Sequence, residues 1–186
     1  GLIATLFAPI PEKAPSPPES LRCAIVLPFR QFFTRPNAAA LLAVIATYKL
    51  GEALAGQMIT PFLVHTGYAL FDIGAVAKGF GLVATIIGAL VGGGLVSRFG
   101  LKRCLIVFGI LQATTNALYI GVHLAGEPAT HMLVFAIGFD NLFNGLGTAA
   151  FVAFLMSLCD LRYSATQFAL LSSASSLLGR LLSGES

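Results

Sequence analysis

Long apolar stretches separated by short charged or turn-forming segments are the feature that most limits how this chain folds. A helix that crosses about 30 Å of hydrocarbon needs about 20 mostly apolar residues. With 56% hydrophobic and 10% charged residues, the chain has too little polar surface to cover a soluble domain. We therefore predict an all-α polytopic membrane protein with four complete spans and a fifth, incomplete span that contains Arg180. The predicted spans are residues 38–64, 73–96, 104–124, 131–158 and 165–186.

The residues before the first span divide into an apolar stretch and a proline-rich stretch. Residues 1–9 lack the basic region and the cleavage site of a signal peptide, so we expect them to be the end of an earlier span. Residues 10–37 contain most of the prolines beside charged residues and predict a linker between two membrane units. The chain does not begin with Met and ends within a helical pattern, so we expect a fragment.

Basic residues outside the spans all fall on one side of the predicted membrane. Short loops rich in Lys and Arg stay in the cytoplasm, so this side and the linker are predicted to be cytoplasmic. The residues concerned are Lys13, Arg22, Arg30, Arg35, Arg98, Lys102, Arg103 and Arg162. The net charge of +3 reflects this asymmetry, and no nucleic-acid partner is predicted because no basic cluster alternates with aromatic residues.

The cysteines and histidines show no metal-ligand spacing, and no metal or cofactor is predicted. The cysteines fall at cytoplasmic span ends and predict reduced thiols, whereas the histidines fall at the opposite face and are interpreted as interfacial residues. These residues are Cys23, Cys104, Cys159, His65, His123 and His131.

Two charged residues lie close to the middle of the first span. Lys49 and Glu52 are three residues apart, so they share a helical face and can pair. Charges at this depth are costly and usually face a pathway or a partner. We expect a substrate-binding or coupling role, and the alternative is a salt bridge that only holds helices together.

The later spans also contain polar groups. Lys78 shares a predicted face with small residues and is expected to point into the bundle, although it is shallow enough to reach the surface. Asp140, Asn141 and Asn144 form the most polar membrane segment. We expect a site for ion coupling, and the alternative is that the asparagines form hydrogen bonds between helices. Arg180 carries a permanent charge that suits a carboxylate.

Several motifs resemble the major facilitator superfamily and, within it, the AmpG-type muropeptide permeases. Residues 93–103 are similar to the cytoplasmic loop signature of the superfamily, although Ser97 stands where an acidic residue is common. The signature residues are Gly93, Arg98, Gly100, Lys102 and Arg103. More specific matches to the permeases are residues 48–52, 78–90, 107–112, 147–153, 164–172 and 179–180.

This resemblance implies a partial C-terminal half of a permease in the bacterial inner membrane, with the N-terminal half missing. It implies uptake of anhydro-muropeptides, driven by protons, for peptidoglycan recycling. Such cargo carries carboxylates, which Lys49, Lys78 and Arg180 are suited to bind. A permease for another anionic solute remains an alternative. A membrane-embedded enzyme is disfavoured by the scattered histidines, and a scaffold by the ionisable groups inside the spans.

Overall fold

The computed structural model describes residues 30, 33–34, 37–124, 130–159 and 164–183, with side chains left out at 164–166 and 178–183. Residues 1–9, most of the linker, Cys23 and Arg162 lie outside this part of the chain. Four of its helices are long and apolar enough to cross a membrane, and no strand occurs among the described residues. The prediction of an all-α polytopic membrane protein is thus confirmed. The helices are α1 (Ala38–His65), α2 (Leu70–Phe99), α3 (Leu101–Leu124), α4 (Thr130–Ser157) and α5 (Ser164–Ser183).

The described connections between helices are shorter than the sequence pattern indicates. A single residue, Gly100, joins α2 to α3, although residues 97–103 are predicted to lie outside the spans. Gly100 has φ 87°, a conformation that only glycine adopts without strain, and this allows the chain to reverse within one residue. The helices α2 and α3 therefore extend beyond their apolar parts and include the polar residues on either side of Gly100.

One turn of α2, Ala77–Gly81, is a π-helix. Such a turn holds one residue more than an α-helical turn and changes the angular relation between the residues on either side of it. Residues before and after this turn consequently do not continue the same helical face.

Glycine residues bring α2 and α4 into close contact. A Cβ atom on Gly88 would collide with the carbonyl oxygen of Leu142, and one on Gly145 would collide with the carbonyl oxygen of Thr85. Gly92 likewise has the backbone of α4 about 3.0 Å from the position of a Cβ atom. This small-residue face gives α2 and α4 a contact between backbones, as is typical of helices packed within membranes.

Apolar clusters lie towards both ends of the bundle, and a polar layer lies between them. One cluster joins the end of α1 to the start of α4 and includes Leu63 and Leu133. Another joins α1, the second half of α4 and α5 through Ile45, Phe151 and Leu171. The charged and hydrogen-bonding side chains of α1, α3 and α4 lie between these clusters, in the middle of the bundle.

Candidate functional site

Lys49 and Glu52 form an ion pair in the middle of α1. The Nζ atom of Lys49 lies 2.7 Å from Oε2 of Glu52, and the two side chains are 26% and 24% exposed. Their spacing of three residues places both on one face of the helix, as the sequence predicts. The pair neutralises both charges within the span while leaving each group partly open to a ligand or a proton.

An aromatic pair adjoins this ion pair. The rings of Tyr48 and Phe151 stack with centroids 5.0 Å apart and planes 9° apart. Lys49 Nζ lies 5.4 Å from the centroid of Phe151, within the range of a cation–π interaction. Phe151 thus connects α4 to the charged segment of α1. Its role was not predicted, since no spacing rule relates residues so far apart in the sequence.

The polar side chains of α4 meet two other helices. Asn144 Nδ2 lies 3.5 Å from Oε1 of Glu52, at the outer limit of hydrogen bonding. One turn earlier on the same face, Oδ1 of Asp140 accepts a hydrogen bond of 3.1 Å from the hydroxyl of Thr115 on α3. The hydroxyl of Tyr119, also on α3, forms a second hydrogen bond with Asp140. The two acids therefore lie along one polar layer, with Asn144 next to Glu52 and two hydroxyl groups next to Asp140.

Asn141 belongs to the contact between α2 and α4. Its Nδ2 atom donates to the carbonyl of Ile137 at 2.8 Å, and its Oδ1 atom accepts a hydrogen bond of 3.1 Å from Thr85. Gly81 packs against the same amide. The bond to Ile137 lies within α4, whereas the bond from Thr85 joins α2 to α4 and corresponds to hydrogen bonding between helices, one of the two interpretations of the sequence.

Lys78 lies in the π-helical turn of α2 and its side chain is exposed, whereas Gly81, Gly88 and Gly92 of the same helix are buried. That Lys78 points into the bundle stays a prediction. Arg180 lies within α5, and its side chain is outside the described part.

The loop signature lies at the junction of α2 and α3. Arg98, Lys102 and Arg103 are exposed there, and the guanidinium of Arg98 lies 5.7 Å from the ring centroid of Phe99. Gly93 is exposed, with no atom close to the position of a Cβ. Gly100 forms the turn itself. These residues make a basic surface at one helix end, remote in sequence from the central polar layer.

A groove of about 780 Å³ opens between α1 and α3 beside the polar layer. Gly51, Asn116 and Tyr119 contribute to its lining, which is otherwise mostly apolar. Since Tyr119 also bonds to Asp140, this tyrosine connects the groove to the half-buried acid. Thr115 and Tyr119 were not singled out from the sequence, although a threonine in the middle of an apolar span is a usable signal.

Ionisable and hydrogen-bonding groups inside long apolar helices define the class of this protein, a multi-pass membrane protein with a polar layer in its interior. His, Cys, Asp and Glu form no group of metal-ligand geometry among the described residues.

Comparison with known proteins identifies the relatives of the chain. An anhydromuropeptide permease of Escherichia coli (strain K12) is 47% identical over 184 residues, which is 98% of this chain and 37% of that protein. A putative transporter AmpG 4 of Rickettsia conorii is 39% identical over 82% of this chain and 37% of its own length. A putative transporter AmpG 1 of Rickettsia felis is 35% identical over 72% and 30% respectively. No protein-family profile matches the chain.

The resemblance to the AmpG-type permeases is therefore confirmed, and this chain is related to a segment of those proteins. It spans 37% of the length of the Escherichia coli relative. The relatives are named as permeases or transporters, which agrees with the prediction that the chain is not an enzyme.

Proposed function

We propose that this chain is part of the C-terminal half of a proton-coupled permease that takes up anhydro-muropeptides across the bacterial inner membrane. The observation that carries the proposal is the Lys49–Glu52 ion pair, which lies midway along a membrane-spanning helix. The similarity to proteins named anhydromuropeptide permease supports the choice of cargo. Peptidoglycan recycling is the process that such uptake serves.

In this proposal, Lys49 receives a carboxylate of the cargo and Glu52 exchanges a proton. The two binding events favour each other, because a carboxylate that binds Lys49 displaces Glu52 and a proton on Glu52 releases Lys49. Such positive linkage couples the binding of cargo to the binding of a proton. Asp140 is the second candidate for the proton, with Asn144 on the same face of α4.

Residues 1–9 are proposed to end an earlier helix and residues 10–37 to form the cytoplasmic linker to it. The missing N-terminal half then completes the cargo site, because sites of this kind lie near the midplane between two repeats. The chain alone, reconstituted in liposomes, is expected to transport nothing. Proton-driven uptake by the isolated chain would contradict its assignment as part of a larger transporter.

The proposal is tested with the full-length protein in proteoliposomes under an imposed pH gradient. Radiolabelled anhydro-muropeptide should accumulate when the outside is acidic, and a protonophore should abolish the accumulation. A permease for another anionic solute is the alternative, because Lys49 suits any carboxylate. Uptake of a different organic anion without uptake of anhydro-muropeptide would favour that alternative.

A further inference from the structure

Phe151 contacts both members of an adjacent pair on α1, Tyr48 and Lys49. Its ring stacks on Tyr48 and lies 5.4 Å from the ammonium nitrogen of Lys49. The residue is only 4% exposed, so its orientation is fixed by packing. The face of an aromatic ring carries partial negative charge and attracts a cation at this distance, more strongly where water is excluded.

The ammonium of Lys49 therefore has two attractive partners of different kinds. Glu52 holds it by a full charge, which is lost when the carboxylate takes up a proton. The ring of Phe151 holds it by a quadrupole, which no change of protonation removes. After Glu52 is neutralised, the ring remains to stabilise the ammonium in the same place.

We propose that Phe151 is a positioning residue that keeps the Lys49 ammonium in place to receive the cargo carboxylate while Glu52 carries its proton. This inference rests on the proposed roles of Lys49 and Glu52. Tyr48 contributes by stacking on the ring and fixing its plane. The simpler interpretation is that Phe151 only fills the apolar cluster with Ile45 and Leu171, in which case a large aliphatic residue serves as well.

The environment of Lys49 can be measured in the full-length transporter by reaction with a membrane-permeant amine reagent. Such reagents attack the neutral amine, so an interaction that stabilises the ammonium slows the reaction. Mass spectrometry would compare labelling of Lys49 with that of the exposed Lys78 as an internal reference. The Phe151→Leu variant should label about fivefold faster at Lys49, which corresponds to a cation–π interaction of about 1 kcal/mol.

Two comparisons separate positioning from packing. Phe151→Tyr retains an aromatic face and should label like the unaltered protein. Phe108→Leu makes the same change at a residue that is also 4% exposed but lies in another cluster, and it should leave Lys49 unaffected. Equal labelling of Lys49 in Phe151→Leu and the unaltered protein would overturn the inference. If the leucine variant does not accumulate, fluorinated phenylalanines at position 151 weaken the ring quadrupole with little change of shape, and labelling should rise with each fluorine.

The functional consequence is read from binding of radiolabelled anhydro-muropeptide to the purified full-length protein. Phe151→Leu should raise the Kd about fivefold when Lys49 is present and have no further effect in the Lys49→Met background. Equal effects in both backgrounds would show that Phe151 acts through packing. If Lys49→Met leaves the Kd unchanged, the proposed role of Lys49 fails, while the labelling result still decides whether Phe151 holds its ammonium.

Discussion

Oε2 of Glu52 lies 2.7 Å from Nζ of Lys49 within one turn of α1, so the carboxylate is paired with an ammonium group of the same helix. We predict that Glu52→Gln in the full-length protein abolishes accumulation of cargo against a gradient. The amide keeps the shape but cannot ionise, so exchange of cargo at equal concentrations should persist. Uptake and counterflow in proteoliposomes measure the two properties. Asp72→Asn, a change at an exposed acid near the start of α2, is the control and should leave both intact.

The double variant Lys49→Met/Glu52→Gln distinguishes coupling from a static salt bridge. Loss of one partner leaves an uncompensated charge within the span, so each single variant should lower protein abundance. The double variant should recover abundance but not accumulation, because the site has then lost both its cation and its acid. Full proton-driven accumulation by this protein would remove Glu52 from the mechanism and leave Asp140 as the candidate.

The hydrogen bond from Thr115 to Asp140 predicts a difference between two neighbouring threonines. Thr115 is 1% exposed, and Thr115→Val removes the hydroxyl that donates to the half-buried Asp140 with little change in side-chain volume. We expect a loss of about 1–3 kcal/mol in unfolding free energy. Thr114 is exposed and bonds only to the carbonyl of Leu111 among the described contacts, so Thr114→Val should change stability by less than about 0.5 kcal/mol. Thermal unfolding of the detergent-solubilised protein compares them, and an equal loss in both variants would argue against the buried contact.

The close approach of α2 and α4 predicts that one methyl group added at their contact would force the helices apart. Gly145→Ala should destabilise the protein by about 1–3 kcal/mol, because the new Cβ atom meets the backbone of α2 at Thr85 and Ala89. Gly109 on α3 has no atom within 4 Å of the position of a Cβ. Gly109→Ala should therefore be neutral or stabilising by up to about 1 kcal/mol. Thermal shift and protein abundance test this contrast, and a stable Gly145→Ala protein would disagree with the structure.

The distribution of basic residues predicts which loops face the cytoplasm. A single cysteine placed at Glu127 in a cysteine-free full-length protein should react with an impermeant reagent added to intact spheroplasts. A cysteine at Ser97, beside Arg98 and the turn at Gly100, should react only after the membrane is opened. The reverse pattern of labelling would refute the orientation.

The sequence contains enough information for contacts within one helix but not for those between helices. The spacing of Lys49 and Glu52 predicts their pairing because an α-helix has a fixed period. The same reasoning does not extend across Ala77–Gly81, where a π-helical turn replaces the α-helical period. The contacts of Asp140 with Thr115 and of Lys49 with Phe151 depend on how separate helices pack, and no local rule relates such distant positions.

Gly100 has a mechanical consequence, since it is the whole connection between α2 and α3. One residue spans at most about 3.6 Å, so the facing ends of these helices cannot separate. The glycine contacts also bring the backbone of α2 close to that of α4. In contrast, α1 packs on α5 and is joined to α2 by the longer segment 66–69. The 3.5 Å approach between Nδ2 of Asn144 and Oε1 of Glu52 joins α4 to α1, so a small rotation of one of these helices relative to the other would change the surroundings of the ion pair.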